Sequence, residues 1–418
     1  MAKPAAKCFF LFACCSLFSL LLAAQPEKIY FNPRAAVAEK QSKFIEVTDY
    51  VPLQETAEPI NNYSNLILTT QYIILNEYSL KRLSFFTREG KFVKKIELKK
   101  YGQPQIIYDK AKERLCFNIQ NKNYILTPKD LQEIKADYSN PKNKKYFKNY
   151  VIDLSDSSLM IRKTAMDPYQ AIGAYRYYDD YFYLSDINTG NAKTDSIGYE
   201  FQLLENYLPV RSFFPFDKRT DARFKNPSLF STPHAYFFAT DTPYKKFVSR
   251  PYNTSIYQLV KDSIWPAYDF MLPLDISIPS SFFEKGFRSA AERDAFQNNN
   301  GKMFNSFLAF NVTPRYIFFS VLYMQGFESY IYEKRTQQFY KNKMVKADST
   351  QFNIPLLGSG PGQQEDLLYY AIIKPETLFG FYEKNKDKNI VYPPRLEAYL
   401  KAGSKNANPV LVAYKIKD

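Results

Sequence analysis

One histidine, one tryptophan, four cysteines and thirteen glycines are all that 418 residues hold of four informative types. The lone His234, in Thr232-Pro233-His234-Ala235, excludes a His-rich metal site and any paired-histidine mechanism. It reads as a turn or surface residue at a strand entrance, with a lone general base as the other reading. Cys8, Cys14 and Cys15 fall within the first 24 residues. Cys116 then stands alone in Arg114-Leu115-Cys116-Phe117, which excludes an internal disulfide scaffold and reads as a buried structural cysteine. So few glycines leave Asn, Asp and Lys to make many of the turns. No G-x-S-x-G, H-E-x-x-H or P-loop pattern occurs. The run Gly358-Ser359-Gly360-Pro361-Gly362 is followed by Gln363, not by Lys-Ser/Thr, and is no phosphate cradle. After residue 24 there is no second long apolar run.

The first 24 residues have the layout of a secretory signal. Lys3 and Lys7 form a positive start, no charge occurs from Cys8 to Ala24, and the run closes on Leu22-Ala23-Ala24 before Gln25-Pro26. Cleavage is expected after Ala24. The alternatives are a retained anchor and lipoprotein processing at Cys14, since Leu11-Phe12-Ala13-Cys14 resembles a lipobox. Either expected processing leaves a product destined for the periplasm, the cell surface or the medium, and not an integral membrane protein. The formal charge of +14 would suggest nucleic acid in a cytosolic protein, but export argues for no nucleic-acid partner. Lys142, Lys144, Lys145 and Lys148 cluster in one Asn/Pro-rich loop, read as a solvated loop or a contact for an anionic glycan or phosphate surface.

What the chain has in quantity is rings: 36 Phe and 35 Tyr, which pack well on pleated surfaces. Tyr72-Ile73-Ile74-Leu75, Leu80 to Phe86 and Lys91 to Ile96 alternate with polar turns, and Glu89-Gly90 supplies the positive φ of a tight hairpin. Matching Tyr72 to Leu115 gives a period of 43 residues, the size of one four-stranded propeller blade. Further short strands are expected at Ser158–Ile161, Tyr181–Leu184, Ala235–Phe238, Ser255–Leu259 and Arg315–Phe319. The expected fold is all-β, one domain over 25–418: a six-bladed β-propeller closed by pairing of N- and C-terminal strands, with Val410 to Lys417 as the closing strand. Short helical insertions are expected at Ser281–Asn298, Pro375–Lys384 and Arg395–Ala402.

Four segments carry a resemblance. Phe44-Ile45-Glu46-Val47 with Val51-Pro52-Leu53-Gln54-Glu55-Thr56, Phe85 to Phe92, Tyr252-Asn253-Thr254-Ser255-Ile256-Tyr257-Gln258-Leu259, and Asn408-Pro409-Val410-Leu411-Val412-Ala413-Tyr414-Lys415-Ile416-Lys417 span nearly the whole chain after the leader. Together they resemble an exported six-bladed β-propeller family of uncharacterised function, NHL-like, found in polysaccharide-degrading bacteria. That resemblance implies fold and export but no reaction. The family's glycine-rich turn after the first blade is reduced here to Tyr101-Gly102-Gln103-Pro104.

For chemistry the sequence offers aromatic and acidic clusters. Tyr175, Arg176, Tyr177, Tyr178, Asp179 and Asp180 combine ring faces, a bidentate cation and carboxylates, and form the expected ligand-binding segment. Tyr181 and Tyr183 continue it, and Tyr323, Tyr330 and Tyr332 make a second tyrosine group. The plainer reading of both groups is packing between blades with a polar surface. Asp153, Asp156, Asp241 and Asp269 are, like Asp179 and Asp180, carboxylates by type, but turn residues by context. Asp186-Ile187-Asn188-Thr189-Gly190 begins like a calcium loop with its glycine one place early, and reads as a hairpin turn. No catalytic residue, metal or cofactor is assigned. The expected function is a secreted or periplasmic binding module for a glycan, a peptide or a cell-envelope protein. The alternatives are a propeller glycosidase or lyase using paired carboxylates, and a purely structural partner in a surface complex.

Overall fold

The computed structural model describes residues 25–418 except 61–62, 64, 103, 105, 121–129, 131–132, 134–144, 165–174, 179–180, 186–196, 206–207, 218, 222–234, 241, 243, 281, 283–286, 358–361, 366 and 405. Three strands come first: β1 (Glu27–Tyr30), β2 (Val37–Lys40) and β3 (Ile45–Pro52). Sheet I is β4 (Asn65–Leu68), β5 (Tyr72–Glu77), β6 (Arg82–Thr87) and β7 (Phe92–Glu97). Sheet II is β8 (Ile107–Asp109), β9 (Arg114–Gln120), β10 (Phe147–Asp153) and β11 (Ile161–Thr164). Sheet III is β12 (Tyr175–Tyr178), β13 (Tyr181–Ser185), β14 (Ile197–Glu205) and β15 (Leu208–Asp217). Sheet IV is β16 (Tyr236–Ala239), β17 (Lys245–Ser249), β18 (Ser255–Val260) and β19 (Ser263–Met271). Sheet V is β20 (Phe304–Val312), β21 (Tyr316–Tyr323), β22 (Phe327–Glu333) and β23 (Gln338–Lys346). Sheet VI is β24 (Gln363–Glu365), β25 (Leu368–Ile373) and β26 (Val410–Ile416), completed by β3.

Within each sheet, neighbours in this order pair antiparallel, as short turns between consecutive strands require. In sheet VI the last strand pairs with the third. Val410 to Ile416 run antiparallel to Pro52 back to Ile45, with Val412 opposite Tyr50. Phe44 O then accepts the N–H of Lys417 at 2.8 Å. The chain ends are thus sewn into one sheet, as the closing motif Asn408 to Lys417 leads one to expect.

The sheets stack through apolar clusters that join VI to I, I to II, III to IV, IV to V and V to VI. Sheet VI therefore packs on both its predecessor and sheet I, so the described arrangement is a mostly-β propeller with few helices. The rings do what their abundance implies. Phe31, Phe270, Phe307, Phe319 and Tyr330 are all fully buried between IV and V, each worth roughly 1.5–3 kcal/mol of apolar burial. The N-terminal segment adds an unexpected feature. β1 lies parallel on the outer edge of β19, and β2 lies parallel on β23, so sheets IV and V each carry a fifth strand.

Among the described residues, three α-helices interrupt the strands: α1 (Ala290–Asn299), α2 (Pro375–Lys384) and α3 (Pro394–Ala402). The second and third fall where expected. The first begins at Ala290, its start set by Ser289, whose Oγ accepts the Glu292 N–H, while Glu292 accepts the N–H of Arg288; residues 281 and 283–286 of the expected insertion lie outside the described residues. Ser158–Ile161 is also corrected. Asp156 Oδ1 accepts the Ser158 N–H, Leu159 has φ +47°, and the strand begins only at Ile161. The hairpin at Glu89-Gly90 is as expected, with Gly90 at φ +85°.

Candidate ligand-binding face

The expected segment lands on a first strand. Tyr175, Arg176, Tyr177 and Tyr178 form β12, which pairs with β13 across an irregularity between Arg176 and Tyr178. The side chains of these four, and all of Asp179 and Asp180, lie outside the described residues, as do Ala24, Cys14, Lys142, Lys144, Asp186 to Gly190, His234, Asp241 and Gly358 to Pro361. Gly362 is described. A Cβ there would sit 1.9 Å from the Tyr370 carbonyl oxygen, and its N–H donates to the Tyr414 hydroxyl at 2.8 Å. Its glycine is therefore required by close packing on β25.

The second tyrosine group belongs to the core. Tyr323, Tyr330 and Tyr332 are buried in the cluster between sheets IV and V, and Tyr330 meets Phe31 edge-on at 4.9 Å. Other carboxylates named from sequence are local fasteners. Asp153 accepts the backbone N–H and hydroxyl of Ser155 at 3.0 and 2.6 Å. Asp156 caps Ser158, and Asp269 accepts from the Ser255 hydroxyl. Cys116 is buried within β9.

A cleft does form at the junction of sheets IV and V. It holds about 460 Å³ between the turn after β19 (Asp275, Ile276), the segment after α1 (Gly301, Lys302), the β21–β22 turn (Tyr323, Gln325, Gly326, Phe327) and Pro33-Arg34 of the N-terminal segment. A second hollow of about 480 Å³ continues from it along Asn298, Asn299 and Asn300, sharing Asp275, Gly301, Lys302 and Gln325. Turns that join strand two to strand three, and strand four to the next sheet, emerge at the same mouth of a propeller. The cleft therefore lies on one face of the ring, where loops can vary without disturbing the sheets.

Each wall has a physical cause. Gly326 at φ +76° permits the tight β21–β22 turn, which leaves Phe327 57% exposed at the rim. Arg34 pairs with Asp275, tying the N-terminal segment to the turn after β19. Phe282, Phe287 and Phe296 pack with Tyr252 and Met324 beneath the insertion, fixing α1 against sheet V. Gln325 Nε2 donates to Asn298 Oδ1.

Glu328 is a firmly ionised charge in the cleft. Burial pushes its pKa up, but donors from Lys341 (2.6 Å), Tyr330 (2.6 Å) and Lys343 (2.9 Å) outweigh burial and hold it at about 2. Burial pushes the Tyr323 hydroxyl up to about 12, so it stays a protonated donor, hydrogen-bonded to Tyr330 at 3.2 Å. Cations, carboxylates, side-chain amides and an exposed ring thus converge on one hollow, a set suited to a hydroxyl-rich or peptidic ligand. Sequence reasoning missed it because Arg34, Asp275, Lys302 and Phe327 come from four distant segments and form no local pattern.

No family model matches the chain, and no curated protein matches it. Solved structures do. The chain shares its fold with a Bacteroides protein. That protein, a "Putative exported protein" from Bacteroides fragilis NCTC 9343, is 14% identical, with 94% of this chain and 99% of that chain covered at a TM-score of 0.53. A member of the DUF4221 family from Bacteroides vulgatus is 11% identical over 91% of this chain and 100% of its own, at a TM-score of 0.38. Virginiamycin B lyase from Staphylococcus aureus is 8% identical over 77% and 80%, at 0.31. Among the described residues, no group of three or more His, Cys, Asp or Glu is placed to hold a metal ion, and no helix is long and apolar enough to cross a membrane.

Proposed function

We propose that this chain is an exported, NHL-like propeller of six blades, one per sheet, that binds a polar ligand without transforming it. The carrying observation is the cleft at the junction of sheets IV and V, where Lys302, Gln325, Phe327 and the Glu328–Lys341 pair face one hollow. A glycan or a polar peptide of the cell envelope has the hydroxyl and amide groups such a wall would engage, with Phe327 stacking on an apolar face. The leader argues for export. Glu328 is held ionised and hydrogen-bonded by three donors, which suits anchoring; a glycosidase acid would need its pKa raised.

Screening against an array of envelope glycans, with product analysis by mass spectrometry, tests this reading. Binding without new products is expected. Phe327→Ala and Lys302→Ala should each weaken binding about tenfold with no change in melting temperature, because both side chains sit at the cleft wall. Shortened or unsaturated sugar products would overturn the non-catalytic reading. Binding indifferent to both substitutions would overturn the cleft.

A further inference from the structure

The cleft between sheets IV and V is electrically unbalanced. Three cations, Arg34, Lys302 and Lys341, line it against two carboxylates, Asp275 and Glu328. Glu328 is shared, since Lys341 reaches it at 2.6 Å and Lys343 at 2.9 Å. Two ammonium groups on one carboxylate leave a positive charge over. Arg34 is matched by Asp275, but the two side chains are 76% and 46% exposed. An ion pair so wet is weak enough for a better anion to displace one partner. Lys302, itself exposed, forms no ion pair among the described residues.

That surplus sits on a wall the backbone holds in place. Met324 N–H donates to Met303 O at 2.8 Å, Gln325 N–H to Gly301 O at 3.0 Å, and Phe304 N–H to Ile276 O at 2.8 Å. The β21–β22 turn, the segment carrying Lys302 and the turn after β19 are thus stitched together before any ligand arrives. A Cβ at Gly301 would lie 3.1 Å from Gln325 Oε1, so the bare glycine lets that amide lie close against the segment. Little ordering is left for binding to impose.

The same wall carries groups that suit a sugar. The exposed ring of Phe327 offers a flat surface to the apolar face of a pyranose. Asn298, Asn299 and Gln325 line the adjoining hollow, and side-chain amides both donate to and accept from hydroxyls. The cleft's volume of about 460 Å³ falls within the roughly 300–1,000 Å³ of small-ligand sites. An extended peptide would instead seek a strand edge to pair with. The outer edges of sheets IV and V are already taken by β1 and β2.

Resting on the reading that this cleft binds the ligand, we propose that the ligand is an acidic saccharide and that Lys302 selects its negative charge. A carboxylate on the sugar gives Lys302 the charge-assisted partner it lacks, and Arg34 can exchange Asp275 for the same group. Phe327 supplies affinity for any sugar ring, charged or neutral. Charge selection and ring binding therefore reside in different side chains and can be separated.

The test titrates the full chain with a panel of uronate-containing oligosaccharides, each paired with its carboxyl-reduced counterpart. At least one acidic member should bind about tenfold more tightly than its neutral counterpart, and raising NaCl from about 50 to about 500 mM should erase most of that difference. Lys302→Gln should bring the acid-to-neutral ratio close to one, and Lys302→Arg should keep it. Asp275→Asn should strengthen binding of the acidic member alone, by releasing Arg34. Phe327→Ala should weaken both members of a pair alike. Neutral counterparts that bind equally well, or a ratio that Lys302→Gln leaves unchanged, would overturn the charge selection while leaving a glycan-binding cleft. A carboxylate-rich peptide that binds and is lost on Phe327→Ala, with no saccharide doing so, would overturn the sugar class and keep the cleft. If neither saccharide nor peptide binds, the binding function falls together with this inference.

Discussion

Asn408, fully buried, donates its side-chain amide to the Gln54 carbonyl at 2.6 Å and accepts the Ile60 N–H on Oδ1 at 2.8 Å. It thereby joins the entry of the last strand to the segment leaving β3. Leu53 N–H donates to Pro409 O at 3.0 Å just beside it. Beyond it, Val410 through Tyr414 are all buried.

Deleting residues from Asn408 onward should therefore abolish stable folding. Four large buried side chains, Val410, Leu411, Val412 and Tyr414, at roughly 1.5–3 kcal/mol each are comparable to the whole stability of an ordinary domain, about 5–15 kcal/mol. The open edges of β25 and β3 would also invite aggregation. The expected outcome is an insoluble product or one with no cooperative melt. A truncated chain that melts at the full-length temperature would disprove the closure.

The closure was legible because its sequence is apolar, uninterrupted and preceded by Asn-Pro, and the strand hairpin at Gly90 was legible because a positive φ demands glycine. What escaped notice was anything made by distant partners. The turn Glu77 to Arg82 and the turn Asp109 to Arg114 share one spacing: an acid, a 3-10 turn, a left-handed residue (Lys81 at φ 54°, Glu113 at φ 43°) and an arginine that pairs back at 2.7 and 3.1 Å. That repeat was present in the sequence but hidden, since neither Lys nor Glu announces a left-handed conformation. The edge-covering role of β1 and β2 was illegible for another reason. Parallel addition to a remote sheet leaves only a short alternating pattern, which Glu27 to Tyr30 shares with any strand. The second tyrosine group follows its plainer reading: Tyr330 and Tyr332 fill the space between two sheets.

Glu200 and Arg250 tie sheet III to sheet IV, with bonds of 2.9 and 2.6 Å from one guanidinium to both carboxylate oxygens. Glu200 is 1% exposed, so removing its partner leaves a buried charge. Arg250→Ala should cost about 3–5 kcal/mol, whereas the double variant Glu200→Leu with Arg250→Met should lie much nearer to the parent. Urea unfolding of the three proteins measures both. A single-variant loss below about 1 kcal/mol, or a double variant worse than the single, would show that the pair does not carry this junction.

Acid should weaken the protein through Glu333. Burial pushes its pKa up, yet Arg315 (2.6 and 2.9 Å), Lys43 (3.1 Å), Tyr340 (2.9 Å) and Thr336 (3.0 Å) together hold it at about 2, against an ordinary value of 4.5. Glu328 is depressed to about 2 in the same way. A depressed folded pKa contributes stability that is complete above the unfolded value and disappears as pH falls through the folded one. The window is therefore from about pH 4.5 down to about pH 2, and Glu333 contributes on the order of 3 kcal/mol within it. Lys43 reaches Glu333 from the N-terminal segment, so the acid-labile contact also ties that segment to sheet V. Unfolding free energy measured at pH 6, 4 and 3 should fall steadily for the parent. Glu333→Gln should be less stable at pH 6 and flatter below pH 4.5, because the contribution of Glu333 is gone while that of Glu328 remains. Parallel curves for parent and variant would place the acid sensitivity elsewhere.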